Sequence, residues 1–116
     1  MERYADGALR QYFEALNEKP KEGEPDKLLQ FYNDKSKLTL GERKLGSEHI
    51  VQLLRKEQRE FGLDSYTVGS KDDNHCIITG QLISGNSKMT FVMVLEKEED
   101  PKTKECQVFI SNQIIN

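Results

Sequence analysis

Apolar residues recur at three- and four-residue steps in the first half of this chain and at every second position in the latter half. Ala5, Ala8, Leu9, Tyr12, Phe13 and Leu16 lay one apolar stripe along a helix predicted from Glu2 to Asn17. The stretch Lys19-Pro20-Lys21-Glu22-Gly23-Glu24-Pro25 stops it, because two prolines and a glycine cannot continue the backbone pattern. Asp26 then suits the N-cap of a short second helix carrying Leu28, Leu29, Phe31 and Tyr32. Lys37 to Leu40 reads as a strand, and Gly41-Glu42-Arg43 turns the chain back toward Leu45.

A third helix opens at Gly46-Ser47, with Ser47 as cap and Glu48 at the positive end. Ile50, Leu53, Leu54 and Phe61 should face inward and Lys56, Glu57, Arg59 and Glu60 outward, with Gly62 as the stop. Strands follow at Ser65–Ser70, His75–Ile83, Lys88–Glu96 and Glu105–Ile115. Turn residues separate them at Asp72-Asp73-Asn74, Gly85-Asn86 and Asp100-Pro101. The pattern predicts an α+β fold: three N-terminal helices packed on a curved antiparallel sheet, one domain over residues 1–116.

Two of those strands are apolar on both faces. Met89, Phe91, Met93 and Leu95 point one way, while Val92 and Val94 point the other. In the last strand Val108 and Ile110 oppose Phe109 and, further on, Ile115. A sheet covered on one side only should alternate apolar with polar. Two explanations stay open, β-propensity on a half-exposed face and a second subunit docked there. The second names Gln81, Val92, Val94, Phe109 and Ser111 as partner-interface residues.

Charge narrows the partners. Seventeen Lys and Arg stand against twenty Asp and Glu, a formal charge of -3 with no basic patch, so direct nucleic-acid binding is not expected. No apolar run approaches the roughly 20 residues of a membrane span, and charged Glu2 and Arg3 follow Met1 where a signal peptide would turn apolar. A soluble intracellular protein is expected. Cys76 and Cys106 stand far apart outside any CxxC pattern and read as reduced thiols. His49 and His75 lack ligand spacing, so neither a metal nor another cofactor is expected.

The order and spacing of the elements resemble the nuclear transport factor 2-like superfamily, a cone-shaped fold. The resembling pieces are Ala8–Leu16, Leu28-Leu29-Gln30-Phe31-Tyr32, Leu45–Ile50, Ile77–Leu82, Phe91-Val92-Met93-Val94-Leu95 and Ile110–Ile115. Within it, Gly80-Gln81-Leu82 followed by Phe91, together with Ser111-Asn112, is similar to the transport-factor branch. The loop Gly85-Asn86-Ser87-Lys88 and the long hairpin Lys97–Lys104 resemble the small subunit of the mRNA export receptor heterodimer.

That resemblance implies a non-catalytic module in the nucleus and cytoplasm, working at the nuclear envelope and pore. Its sheet face would pair with a second domain of the same fold, as hetero- or homodimer. It also implies shallow notches that hold phenylalanine-glycine repeats of pore proteins, with no residue assigned to them. Ran-GDP importers of the family carry acidic residues in the loop occupied here by Ser84–Lys88, and a tryptophan at the cavity mouth; both are missing. A homodimeric Ran-GDP importer and a plain dimerisation scaffold are the alternatives. A further alternative is an enzyme resembling ketosteroid isomerase or a dehydratase, in which Tyr12 would donate to an oxyanion. The general-base position then falls near Gly41 and Glu42, and the buried-acid position on Met89 to Phe91, which cannot donate a proton. Tyr12 is therefore read first as a core tyrosine and the chain as a non-enzyme.

Overall fold

The computed structural model describes residues 2–57, 61–70 and 72–116. Helix α1 spans Glu2–Asn17, a 3-10 helix Lys27–Phe31, β1 Lys37–Leu40, β2 Arg43–Gly46 and α2 Ser47–Glu57. Strands β3 Gly62–Ser70, β4 His75–Ser84, β5 Ser87–Glu99 and β6 Cys106–Ile115 complete the chain. The fold is α+β, and the six strands form one curved sheet in the order β2-β1-β6-β5-β4-β3.

Two expectations on architecture are corrected. The sheet is mixed: β1 runs parallel to β6, pairing Lys37 with Asn112 and Leu40 with Ile115. Among the described residues the α-helices number two, because the segment after Asp26 closes as a 3-10 turn. Asp26 accepts a hydrogen bond from the Leu28 N–H at 3.0 Å. A period of three then buries Leu28 and Phe31 and leaves Leu29 56% exposed. Strand β2 occupies Arg43–Gly46, where only a return to Leu45 was expected.

The helical stripes behave as patterned. Ala5, Leu9, Tyr12, Phe13 and Leu16 of α1 are buried, with Ala8 packed against them, and so are Ile50 and Leu54 of α2 and Phe61 beyond it. The expected exposure of Glu57, Arg59 and Glu60 falls outside the described side chains. Tyr12 stands edge-on to Phe13, Phe31 and Tyr32 at centroid distances of 5.5, 5.4 and 6.3 Å.

Two positions bend the sheet around this core. Gly80 on β4 has no room for a side chain, since a Cβ there would lie 2.1 Å from Ser65 O and 2.9 Å from Phe91 Cε1. On β6, Val94 pairs with Asn112 but Leu95 with Ile110, so Ser111 is an extra residue in the ladder. The bulge resets the alternation. Ile110, Gln113 and Ile115 all face the core, correcting the expectation that Ile115 opposes Ile110.

Candidate interaction surface

The face of the sheet turned away from the core is built from four cross-strand rows. Antiparallel pairing sets Ile77 beside Val94 and Asn112, and Thr79 beside Val92 and Ile114, with Thr39 of β1 next to Ile114. Gln81 and Thr90 form the row at one end, and His75, Glu96 and Phe109 the row at the other. Ile77, Val92, Val94 and Ile114 are half-buried, so the centre is apolar while hydroxyl, amide and charged groups ring it.

Of the five residues the sequence named, Val92 and Val94 lie at this centre. Gln81 is exposed three rows from Phe109, a separation of about 20 Å at the usual strand rise. Ser111 sits in the bulge, where its hydroxyl donates to Val94 O at 3.3 Å. The structure adds Ile77 and Ile114. Ile77 was legible in principle, because it shares parity with Thr79 and Gln81. Ile114 was not, because the bulge inverts its apparent face.

The rim has defined electrostatics. His75 Nδ1 lies 2.8 Å from Asp72 Oδ1, and its Nε2 lies 3.9 Å from Glu96. The His75 hydrogen bond holds the Asp72 carboxyl below the ordinary carboxylate value, aided by the Asn74 N–H. At the other end, a shallow open depression of about 550 Å³ is lined by Thr67, Thr79, Gln81, Thr90 and Val92.

The opposite side of the sheet tests the catalytic alternative. Tyr12, Tyr32 and Gln113 join in a closed ring: Gln113 Nε2 donates to Tyr12 Oη at 2.9 Å and Tyr32 Oη donates to Gln113 Oε1 at 2.7 Å. Tyr12 Oη, 2.8 Å from Tyr32 Oη, therefore donates to it. Burial pushes the Tyr12 phenol up, and the Tyr32 phenol well up, so both stay protonated. Tyr12 has already used its single proton inside the core and is 1% exposed. Gln113 was missed at the sequence level, since strict alternation sends it to the outer face. Among the described residues, no three His, Cys, Asp or Glu side chains gather to hold a metal ion, and no helix is long and apolar enough to cross a membrane.

No family model and no curated protein matches the chain. Solved structures do. A protein of unknown function from Shewanella oneidensis, described as nuclear transport factor 2-like, is 15% identical with a TM-score of 0.71, over 95% of this chain and 93% of its own. The fold is that of the nuclear transport factor 2-like proteins. A Xanthomonas campestris chain provisionally assigned as a calcium/calmodulin dependent protein kinase II association domain is 16% identical with a TM-score of 0.75, covering 99% of this chain and 86% of its own. A de novo designed protein with a curved β-sheet is 11% identical at a TM-score of 0.65, over 97% of this chain and 98% of its own. At these identities the shared property is the fold, which hosts many unrelated activities.

Proposed function

We propose that this nuclear transport factor 2-like domain is a non-catalytic association module that pairs with a second domain of its fold across the outer sheet face. The observation that carries the reading is the apolar centre of Ile77, Val92, Val94 and Ile114 on the face turned away from the described helices. A face of that composition is stabilised when it leaves water. The Xanthomonas chain of the same fold is itself assigned as an association domain, which supports the reading by analogy. The closed Tyr12–Tyr32–Gln113 ring supports the non-catalytic part, because it leaves no phenol proton for an oxyanion.

The sequence resemblance supports nucleocytoplasmic traffic at the nuclear envelope and pore as the setting of this association, with RNA export ahead of Ran import. One geometric feature favours that order. Ser84 pairs with Ser87, so only Gly85 and Asn86 connect β4 to β5, with Gly85 at φ 62°. This tight two-residue turn carries no acidic side chain to present to Ran. The test is the molecular mass of the purified chain by light scattering, alone and with partners recovered one-to-one from its own cells. A monomer alone, with no partner domain recovered, overturns the association reading; a dimer whose partners include no transport protein overturns the traffic reading.

A further inference from the structure

Strand β6 has neighbours on both sides only from Asn112 onward. Its first part, Cys106 to Ser111, pairs with β5 on one side, and β1 joins the other side only at Asn112. Which backbone groups face the open side follows from ladder alternation. Ile110 O accepts from Ser36 Oγ at 2.6 Å, away from β5. Lys97, opposite Val108, donates its N–H at 2.8 Å to Asn74 O on the far side of β5. Lys97 and Val108 therefore exchange no hydrogen bonds, and Val108, like Cys106 two residues before it, turns both N–H and C=O to the open edge. Ser36 closes that edge at Ile110.

An open edge of this kind is a template for another strand unless something blunts it. Among the described residues no proline and no covering strand does so. The edge instead lies along a groove of about 530 Å³, bounded by Tyr4, Ala8 and Gln11 of α1, Leu29 and Gln30 of the 3-10 helix, and Val108. Tyr4 and Leu29 are exposed at 58% and 56%. Among the described residues none that lines it is charged, in a chain where 32% of residues are, and the Lys97 ammonium beside it is engaged over the Tyr4 ring, 5.6 Å from its centroid. Backbone donors and acceptors, an apolar floor and neutral amides together define the occupant: an uncharged, extended peptide.

We propose that an uncharged peptide segment of a partner protein adds to β6 as a strand in this groove, hydrogen-bonded to the Val108 backbone, with alternate apolar side chains laid against Ala8 and Leu29. The groove meets the end row of the outer face at Phe109, but the apolar centre of Val92 and Val94 lies outside it, and the proposal does not rest on domain pairing.

The test selects short random peptides displayed on phage against the purified domain and titrates the enriched peptide calorimetrically and by NMR. Val108→Pro removes the outward N–H and leaves the β5 ladder whole, as proline in an edge strand can. Ala8→Trp fills the groove from the helix side without touching the edge. The expected result is enrichment of uncharged, alternating apolar sequences that slow amide exchange at Val108. Val108→Pro then weakens binding about tenfold, the loss of one backbone hydrogen bond, and Ala8→Trp abolishes it with the solution mass unchanged. Failure to enrich any peptide, binding retained in Ala8→Trp, or a peptide that shifts Val92 and Val94 instead overturns the proposal. Should Val108→Pro not fold, Ala8→Trp alone decides.

Discussion

Arg55 grips Asp26 with two charge-assisted hydrogen bonds, Nε to Oδ2 at 2.6 Å and the terminal Nη2 to Oδ1 at 2.7 Å. Its remaining N–H groups reach Leu16 O and Ala15 O, both at 2.9 Å, and so satisfy the last carbonyls of α1. One side chain of α2 thus ties the end of the first helix to the cap of the 3-10 helix. Arg55→Met should cost about 3 kcal/mol, since it removes the fork and leaves a largely buried carboxylate unpaired. Urea midpoints compared at neutral pH measure it.

The same pair predicts acid sensitivity. Arg55 holds the Asp26 carboxyl below its ordinary value of 3.8, so the contribution is fully present above that value and fades as pH falls through the lower folded value. The wild type should lose stability in that window. Arg55→Met should lose distinctly less there, as urea midpoints measured on either side of pH 3.8 would show.

The Tyr12–Tyr32–Gln113 ring predicts the opposite limb. Burial raises both phenols above 10.0, so unfolded chains gain by ionising first and stability falls as pH rises past that value. Ultraviolet titration should show Tyr12 and Tyr32 ionising only together with loss of the fold. Gln113→Leu should cost about 2 kcal/mol, because it leaves Tyr32 Oη without its acceptor and Tyr12 Oη without its donor.

Gly80→Ala should be among the costliest single-methyl additions in the chain. The new Cβ would meet backbone atoms, Ser65 O and Tyr66 Cα, that cannot rotate aside as a side chain can. A loss of about 3 kcal/mol is expected, read as a lowered thermal midpoint.

Val94→Arg tests the pairing face. Val94 packs against Ile77 and Asn112 on the outer face and is only half-buried, so the isolated domain should keep its melting temperature within a few degrees. An arginine at the centre of a docked face would bury an unpaired charge, and the dimer should dissociate to monomers by light scattering. A dimer unchanged in mass would place the interface elsewhere.

Elements governed by local chemistry were legible in the sequence. The bounds of α1 follow from its apolar stripe and the two prolines beyond it, and the starts of β1 and β4 from turn residues and a change of period. What escaped depends on partners distant in the chain. Nothing in Lys37–Leu40 announces that it lies parallel to Asn112–Ile115, because a strand's direction is set by where the other strand lies. A single extra residue at Ser111 inverts the apparent face of everything after it, which concealed Gln113 as core and Ile114 as surface. The segment after Asp26 was expected as a third α-helix because periods of 3.6 and three are hard to tell apart over five residues. The outer face was half legible. Val92 and Val94 declared themselves on a regular strand, whereas Phe109 precedes the bulge and lies at the far end.

The strand order β1-β6-β5 also bears on how the protein is made. Cys106–Ile115 leaves the ribosome after β1 and β5, yet its place is between them. Until it arrives, β1 has β2 as its only neighbour and β5 presents a bare side, so the sheet exists as two pieces with a slot between them. Ring closure by Gln113 and the parallel pairing with β1 therefore wait for β6. A nascent chain stalled before Cys106 would display two unsatisfied strand edges and an open core, the form of this protein most in need of a chaperone.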